Sequence, residues 1–429
     1  MTDQLLVGAA EVNITPPVGT ALAGSLAPRP SRGVEDPLTM KAIVLEAADV
    51  TLAYILIDVC MLERKYGDAA VMLAARRTGI PAGHIVWAAN HTHTGPYIVK
   101  YLGAKINRKW LATLPGKFAE VVARAQQARR PARMTRERGY CWNVLHNRRL
   151  KFKGGREINT WLLHNGEEAL QCLGAAAPID PEVGILCFDD ERGAPIAILW
   201  NYALHTNANF GPCFSADYPA VVANRLRQQF GPQVVSIFMP GACGDINPAV
   251  ANAAPGQVHR QIGEALAKVI IQRLANRVPF KGRIRLGAIK KEIVVPYRDF
   301  SIPQEKRIRD SQWSPEAQNF FRKELEIMKR ENVTQAKTII QAWRIGEVGF
   351  ASLPGELFAE WGLKIKAESP FPWTFPVELG GDYLGYLVTP QAWASGGYES
   401  LISRVAKPSV QGVARMVATA QRLLVRLWN

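Results

Sequence analysis

Two histidines directly follow an apolar run in the segment Ile85-Val86-Trp87-Ala88-Ala89-Asn90-His91-Thr92-His93-Thr94-Gly95-Pro96. The apolar residues predict a buried strand, because short runs bounded by turn residues are typical of strands. Side chains on an extended segment repeat every two residues, so His91 and His93 are predicted to point the same way. Neutral imidazole is a common zinc ligand, and the segment predicts a metal or catalytic site at a strand end. Two hydrogen-bonded histidines at a turn are the alternative interpretation.

Three further segments place polar residues at the ends of apolar runs. The run Ile196–Tyr202 leads to His205, and the run Val235–Met239 leads to a glycine-rich corner that ends at Asn247. Backbone N–H groups in such a corner could stabilise an oxyanion, although a tight structural turn is equally compatible with the sequence. The third segment contains Glu356, which is predicted to lie at a helix start, where the dipole favours an ionised carboxylate.

Apolar runs alternate with amphipathic helical segments along the chain, which indicates an α/β protein. The predicted strands are Ala42–Glu46, Thr51–Asp58, Ile85–Ala89, Ile196–Tyr202, Gln233–Met239, Ile284–Val295, Thr338–Arg344 and Val348–Leu353. The predicted helices are Gly67–Arg77, Pro115–Ala128, Pro219–Phe230, Val258–Ala275, Pro315–Arg330, Leu357–Ala367 and Val410–Leu427. Residues 130–166 are basic and contain glycine, which predicts an irregular excursion. No repeat or linker divides residues 1–429, which predicts a single domain.

The composition is that of a folded protein with a basic balance. The 429 residues include 52 Lys/Arg and 37 Asp/Glu, a net charge of +15, and 48% are hydrophobic. These values exclude a mainly disordered chain and a small disulfide scaffold. Between residues 100 and 160, sixteen lysines and arginines stand against three glutamates, a net charge of +13. This segment predicts either a solvated basic face or a site for an anionic substrate, a lipid head group or a nucleic acid.

The basic segment also allows a nucleic-acid-binding interpretation, because Trp110, Tyr140 and Trp142 could stack on bases. No RNA-binding or DNA-binding motif accompanies these aromatic residues, so we do not expect a nucleic-acid partner. Steep salt dependence of binding to generic DNA or RNA would support this alternative.

Nothing in the sequence predicts export or membrane insertion. The start, Met1–Pro17, lacks the basic and apolar regions of a signal peptide, and no apolar run is long enough to span a bilayer. The six cysteines form no CxxC pair, and most lie in apolar contexts, which predicts reduced core thiols. They are Cys60, Cys141, Cys172, Cys187, Cys213 and Cys243. We therefore predict a cytoplasmic protein with no membrane span.

These segments, in their order along the chain, resemble the catalytic domain of the neutral and alkaline ceramidase family. The resemblance includes His-Thr-His-Thr-Gly-Pro at residues 91–96, the opening Gly8–Pro17, and the tail Tyr383–Pro390 followed by Gly397-Tyr398-Glu399. It extends from about residue 5 to residue 400. It implies mixed β-sheets packed as a central core with helices on the outer faces, and the chemistry of a zinc hydrolase.

The resemblance also implies roles for individual residues. One Zn²⁺ ion would be held by His91, His205, Glu356 and Tyr386. His93 would face the reacting carbonyl oxygen, and Tyr398 fits the spacing of a second active-site tyrosine. Water activated by zinc would be the nucleophile, since zinc lowers the pKa of water to about 7. We further expect Asp217 or Asp245 to orient one of the ligands.

The chain departs from the family in three ways. Asn247 stands where ceramidases carry a serine implicated in catalysis, and an asparagine can donate a hydrogen bond but cannot act as a nucleophile. Asn147-Arg148-Arg149-Leu150 stands where ceramidases carry Asn-Arg-Ser-Pro. Ceramidases also continue into an immunoglobulin-like C-terminal domain, which we do not expect here.

We therefore predict a zinc-dependent hydrolase that cleaves an amide or related acyl bond of a small polar or anionic substrate. The predicted catalytic residues are His93, Tyr398 and Asn247. Arg148, Arg149 and Lys151 are predicted to bind a carboxylate or phosphate, because arginine suits bidentate anion recognition. Two alternatives stay open, namely a ceramidase acting on N-acyl sphingosines and a metal-binding homologue without activity. The sequence predicts no oligomeric state.

Overall fold

The apolar run before the two histidines forms the strand Ile85–Ala89 in the computed structural model, with the predicted bounds. The structure describes residues 4–25, 29–99, 105–163, 169–250, 254, 256–310 and 313–429. Over these residues the strands are β1 (Leu6–Asn13), β2 (Ala21–Leu22), β3 (Arg29–Pro30), β4 (Gly33–Val34), β5 (Thr39–Ala47), β6 (Val50–Ile57), β7 (Ile85–Ala89), β8 (Arg130–Tyr140), β9 (Leu145–Asn147), β10 (Arg149–Phe152), β11 (Glu157–Asn159), β12 (Cys172–Ala175), β13 (Glu182–Asp190), β14 (Pro195–Tyr202), β15 (Cys213–Phe214), β16 (Val235–Pro240), β17 (Ile246–Pro248), β18 (Leu286–Pro296), β19 (Gln335–Ile345), β20 (Val348–Ser352), β21 (Glu356–Leu357), β22 (Trp373–Val377) and β23 (Tyr386–Leu387).

The helices agree closely with the prediction. In the described part of the chain they are α1 (Arg64–Thr78), α2 (Arg108–Leu111), α3 (Leu114–Gln127), α4 (Tyr218–Phe230), α5 (Val258–Leu274), α6 (Glu305–Asp310), α7 (Pro315–Glu331), α8 (Ala359–Ala367), α9 (Pro390–Ser395) and α10 (Val410–Trp428). Proline occupies one of the first two positions of α3, α4 and α7, where its missing N–H removes no helical hydrogen bond. None of the described helices has both the length and the apolar character needed to cross a membrane.

The main sheet has eight strands in the order β16-β14-β13-β8-β1-β5-β6-β7. The outermost pair at each edge is parallel and the pairs between them are antiparallel. The edge strand β16 also contacts β5, β6 and β7, so the sheet is rolled and its two edges approach each other. The chain after β22 joins them, since Glu378 N donates to Pro240 O (2.9 Å) and Ala89 N donates to Leu379 O (3.2 Å). This closure brings the carboxyl ends of β7 and β16 together.

A second sheet, in the order β18-β19-β20-β22, packs against the main sheet. The predicted strands Thr338–Arg344 and Val348–Leu353 correspond to β19 and β20, which pair as an antiparallel hairpin. Trp343 of β19 stacks between Tyr54 of β6 and Phe350 of β20, with ring centroids 5.7 Å and 5.0 Å apart. Helix α3 packs beside β1 and β5, and α1 packs on α3 and β7. Helices α4 and α5 pack beside β16 and β8, and α10 packs across the second sheet. The predicted α/β class, with mixed sheets and helices around them, is confirmed.

The prediction of an irregular excursion at residues 130–166 was wrong at its start. The first eleven residues form β8, which lies between β13 and β1 in the main sheet. The sequence does not show the apolar alternation of a strand here, because arginines occupy positions where their side chains cover apolar surface. The guanidinium groups of Arg136 and Arg138 lie 5.5 Å and 4.4 Å from the Trp373 ring centroid. From Cys141 to Leu163 the chain does form only short strands and turns.

Candidate metal centre

The loop after β7 carries two of the histidines and turns sharply. His91 has a φ of +71°, so the extended geometry used to predict that His91 and His93 point the same way was wrong. His93 N donates to Thr206 O (3.1 Å), and Thr206 Oγ1 donates to Asn90 O (2.6 Å). These bonds join the loop to the one after β14. The ring of His91 therefore lies 4.5 Å from that of His205 and 5.1 Å from that of His93.

Three buried donor atoms face one another, and we call His91, His205 and Glu356 the donor group. The Nε2 atoms of His91 and His205 are 3.0 Å apart, and each lies 3.4 Å from Glu356 Oε2. The three side chains are at most 3% exposed. In a tetrahedral zinc site with metal–ligand bonds of about 2.0–2.2 Å, donor atoms lie about 3.4 Å apart. The separations in the donor group therefore fit one small cation.

The outer nitrogen of each imidazole is held by a backbone carbonyl. His91 Nδ1 lies 2.8 Å from Cys60 O, and His205 Nδ1 lies 2.7 Å from Cys243 O. A carbonyl only accepts, so each Nδ1 carries the proton and each Nε2 presents a lone pair. Two facing lone pairs repel, and Glu356 Oε2 has no hydrogen-bond partner in the described part of the chain. The donor group is complete only when a proton or a cation lies between its atoms.

The pKa values of the donor group are shifted by burial and by the mutual contacts of its three side chains. Burial raises the pKa of Glu356, but the two histidines outweigh it and hold that pKa well below its usual range. Burial lowers the pKa of His91, yet Cys60 and Glu356 reverse this and raise it well above normal. Burial, reinforced by His91, lowers the pKa of His205 to about 4. These pKa shifts follow from the burial of a carboxylate in contact with two imidazoles.

Glu356 does not lie at a helix start, which corrects the prediction. It belongs to β21, and α8 begins only at Ala359. Strand β21 pairs in parallel with β23, so Glu356 lies directly beside Tyr386, the predicted fourth ligand. The second carboxylate oxygen, Oε1, accepts a hydrogen bond from Tyr383 Oη at 2.8 Å. The sequence analysis gave Tyr383 no role, although it lies three residues before Tyr386 in the segment that resembles ceramidases.

Asp217 and Asp245 do not orient the histidines as predicted. Asp217 accepts from Asn209 N (2.7 Å) and from the first N–H of α4 (2.6 Å). Asp245 accepts from Asn147 Nδ2 (2.7 Å) and Ala359 N (2.8 Å). Backbone carbonyls therefore fix the imidazoles, and the two carboxylates fix the surrounding loops.

The glycine-rich corner after β16 does not provide the predicted oxyanion site. Gly244 N donates to Leu357 O (2.8 Å), and Cys243 N donates to the buried Glu378 Oε2 (3.1 Å). A Cβ atom on Gly244 would lie 2.4 Å from Glu356 O, so glycine permits the close approach of these two chain segments. The corner therefore acts as a tight turn that holds β21 close to the histidines.

The donor group lines a cavity of about 1180 Å³. The cavity wall also includes the three predicted catalytic residues, His93, Asn247 and Tyr398. Both ring nitrogens of His93 are buried without a hydrogen-bond partner among the described residues. Aromatic side chains form much of the remaining wall, namely Trp161, Phe210, Trp313 and Phe320. The volume and this apolar wall exceed what a small polar substrate needs.

The three predicted substrate-binding residues have different surroundings. Arg148 lines the cavity, where Nε donates to Glu399 Oε1 (2.8 Å) and Nη1 to Asn247 Oδ1 (3.3 Å). Its Nη2 is buried and has no partner among the described residues. Arg149 is buried between two glutamates away from the cavity wall, and Lys151 is exposed. The prediction is therefore corrected for Arg149 and Lys151, and only Arg148 is placed to contact a bound anion.

In the described part of the basic segment, several arginines form ion pairs. Its arginines pair with acidic residues from several parts of the fold, and the pairs include Arg129–Glu46, Arg136–Glu347, Arg138–Glu182 and Arg148–Glu399. The net charge of +13 therefore reflects partners that lie elsewhere in the sequence. Arg148 is the residue of this segment that the structure places in the cavity wall near the donor group.

Comparison with solved structures identifies the architecture. A crystal structure of neutral ceramidase from Pseudomonas aeruginosa matches with a TM-score of 0.76 and 16% identity, over 99% of this chain and 74% of that chain. This chain has the ceramidase fold. A ceramidase complexed with C2 matches with a TM-score of 0.74 and 16% identity, over 99% of this chain and 75% of that chain. No protein-family model and no curated protein matches the sequence.

The ceramidase fold confirms the resemblance that the order of the motifs predicted. At 16% identity the likeness shows the fold, and the chemistry has to be argued from the residues of the cavity. Those residues are the donor group, Tyr386, His93, Tyr398, Asn247 and Arg148.

Proposed function

We propose that this protein is a zinc-dependent hydrolase that cleaves an amide or related acyl bond in a substrate with an anionic group and an apolar part. The observation that carries the proposal is the donor group, with two imidazole lone pairs and an unpartnered carboxylate oxygen facing one point. Two imidazoles, a carboxylate and the phenol oxygen of Tyr386 form a donor set that suits Zn²⁺. The ceramidases with the same fold support an acyl-transfer reaction to water.

His91, His205, Glu356 and Tyr386 would hold the metal, and Tyr383 would keep the Glu356 carboxylate in place. When bound, zinc lowers the pKa of water and polarises a carbonyl group, which supplies the nucleophile and the electrophile of a hydrolysis. The carbonyls of Cys60 and Cys243 would accept from the Nδ1 atoms and orient both Nε2 atoms towards the metal position.

His93 and Tyr398 would stabilise negative charge on the substrate carbonyl oxygen. His93 has no protein partner for its ring nitrogens among the described residues, so its hydrogen-bonding capacity is available to a bound substrate. Burial raises the pKa of Tyr398 to about 12, and its hydroxyl therefore keeps the proton that it would donate at neutral pH. Donors that are positioned before the reaction stabilise an oxyanion most effectively.

Asn247 would act as a hydrogen-bond donor and not as a nucleophile. Its Oδ1 accepts from Arg148 Nη1 (3.3 Å) and Asn207 Nδ2 (3.4 Å), which orients the amide. The amide nitrogen is then the group that can donate to a substrate. A hydrolysis in this cavity accordingly needs no covalent intermediate on Asn247.

Arg148 would select the substrate. Its Nη2 is buried and unpartnered, and a substrate carboxylate or phosphate would complete it with a charge-assisted hydrogen bond. The aromatic wall would take an apolar acyl or aryl group. The substrate class is therefore an anionic amide or ester that is larger than the small polar molecule predicted from the sequence.

A ceramidase acting on N-acyl sphingosines is the second candidate. The apolar cavity wall and the ceramidases with the same fold favour it. An N-acyl sphingosine carries no anionic group, however, and would leave Arg148 Nη2 without a charged partner.

The test compares three substrates with the same acyl chain, namely an N-acyl amino acid, its neutral amide and an N-acyl sphingosine. We expect about one zinc per chain, hydrolysis of the N-acyl amino acid, and slower turnover of the neutral amide. Purified protein that is active without zinc would refute the metal assignment. Turnover of the N-acyl sphingosine alone would establish the ceramidase alternative in its place.

A further inference from the structure

Cys60 is a thiol in the cavity wall that the proposed reaction does not use. It follows β6 by three residues and is 1% exposed. Its Sγ lies 3.6 Å from His91 Nδ1, on the side of the imidazole opposite to the donor group. The Cys60 carbonyl already holds that ring, so backbone and side chain of one residue both face His91.

The thiol belongs to a group with the geometry of a metal site. One potential ligand atom from each of Cys60, His91 and His93 lies within 4.8 Å of the others. In a tetrahedral site with a metal–sulfur bond of about 2.3 Å and a metal–nitrogen bond of about 2.0 Å, the sulfur and nitrogen lie about 3.5 Å apart. The observed distance between Cys60 Sγ and His91 Nδ1, 3.6 Å, is close to this value.

His93 gives an independent indication that a ligand belongs there. Both of its ring nitrogens are buried and have no hydrogen-bond partner among the described residues. Buried polar atoms without partners are rare in folded proteins and mark places where a ligand or ion completes the structure. The donor group does not satisfy His93, because its atoms already face one another.

We propose that Cys60, His91 and His93 form a second metal site, selective for thiophilic cations such as Cd²⁺. A thiolate and two imidazoles bind soft and borderline cations in preference to Mg²⁺ or Ca²⁺. Binding releases the thiol proton to solvent and shifts the proton of His91 from Nδ1 to Nε2, so a thiolate and two neutral imidazoles face the cation. The proposal rests on these contacts and does not depend on the proposed hydrolase activity.

The two sites share His91 through opposite nitrogens. Its Nε2 faces the donor group, and its Nδ1 faces Cys60. A cation at Nδ1 replaces the hydrogen bond to Cys60 O that presents Nε2 as a lone pair. A cation in the second site therefore changes the ability of His91 Nε2 to bind a metal in the donor group. Cys60, which is not one of the proposed zinc ligands, thus makes the cavity sensitive to soft metals.

The experiment is a titration of metal-stripped protein with Cd²⁺, followed by the thiolate-to-cadmium charge-transfer absorption in the ultraviolet. We expect the parent protein to develop a saturable band and Cys60→Ala to lose it. His205→Ala, which removes a ligand of the first site only, should keep the band. His93→Ala should weaken cadmium binding on the order of 10- to 100-fold.

Cys213→Ala is the matched control, since Cys213 is more accessible than Cys60 and belongs to none of the potential ligand groups found among the described residues. It should leave the band unchanged. The proposal is overturned if the band survives in Cys60→Ala or disappears in Cys213→Ala. If Cys60→Ala does not fold, as judged by circular dichroism, Cys60→Ser replaces it, and the His93→Ala titration gives the decisive result. If the parent protein binds no zinc but develops the cadmium band, the result refutes the proposed function and leaves the second site intact.

Discussion

Two groups of buried charges lie beside the same cavity and differ in one respect. The donor group consists of two histidines and a carboxylate whose lone pairs face one another. The arginine network consists of Arg148, Arg149, Glu157 and Glu399, in which two positive charges meet two negative charges. Among the described residues, Arg148 Nη2 is the one guanidinium nitrogen of the network that has no hydrogen-bond partner. Buried charges that find partners within the protein hold the fold together, whereas unmatched ones mark the positions of ligands.

The largest effect is expected where the donor group is broken. His205→Ala removes one of two imidazoles, and we expect zinc affinity to fall more than about 100-fold and hydrolysis to be lost. Metal content after dialysis and substrate turnover measure the two effects.

His84→Ala is the control for this substitution, because His84 lies at the opposite end of β7, where its Nδ1 bonds to Thr51 O. It should retain both zinc and activity. Equal zinc content in the parent protein and in His205→Ala would show that the donor group is not the zinc site.

The next effect concerns stability and not catalysis. Glu399→Gln leaves two buried guanidinium groups with one carboxylate, and we expect a loss of about 3–5 kcal/mol in the free energy of unfolding. Chemical denaturation measures it. A change below about 0.5 kcal/mol would show that the arginine network does not stabilise the fold.

The same residue predicts an acid dependence. Burial alone would raise the pKa of Glu399, but Arg148 and Arg149 reverse this and lower it. A carboxylate with a depressed folded pKa contributes stability above its unfolded pKa of about 4.3 and loses it as the pH falls towards the folded value. The parent should therefore lose more stability than Glu399→Gln between pH 5 and acid. Parallel pH–stability curves would contradict the assignment.

Two neighbouring arginines sharpen the comparison. Arg148→Met should lower kcat/KM for the anionic substrate about 10- to 100-fold, the equivalent of one charge-assisted hydrogen bond, and affect the neutral amide less. Arg149→Met should act mainly on stability, because it leaves Glu157 buried without its partner. Kinetics on both substrates and denaturation of both variants test this. If both variants show the same changes in kcat/KM and in the free energy of unfolding, Arg148 has no substrate-binding role that Arg149 lacks.

The smallest effect is expected at Lys151. Its side chain is exposed and lies outside the cavity wall, so Lys151→Ala should change the free energy of unfolding by less than about 0.5 kcal/mol and leave kcat/KM unchanged. A large loss of turnover of the anionic substrate would restore the role that the sequence predicted for it.

The sequence was informative where the pattern is local. The strand Ile85–Ala89 and the helix Val258–Leu274 were predicted to within one residue, because apolar periodicity reports burial directly. The strand Arg130–Tyr140 was missed, because its arginines cover apolar surface and carry the appearance of a polar loop. The sharp turn at His91 is set by contacts with the chain at Val59 and Thr206, which no local pattern encodes.

The site was predictable in its residue types and less so in its partners. Strand-end placement and the resemblance brought together His91, His205 and Glu356. Arg148 and Arg149 are adjacent in the sequence, and both pair with Glu399, about 250 residues away. Arg149 also pairs with Glu157, whereas Arg148 reaches the cavity wall. Long-range pairing of this kind decides which charge faces a substrate.

The most direct measurement is X-ray diffraction of the zinc-loaded protein, collected on both sides of the zinc absorption edge. The account predicts an anomalous peak within bonding distance of His91 Nε2, His205 Nε2 and Glu356 Oε2, with Tyr386 beside it. A map without a peak at this position, or with zinc bound only elsewhere on the chain, would contradict it.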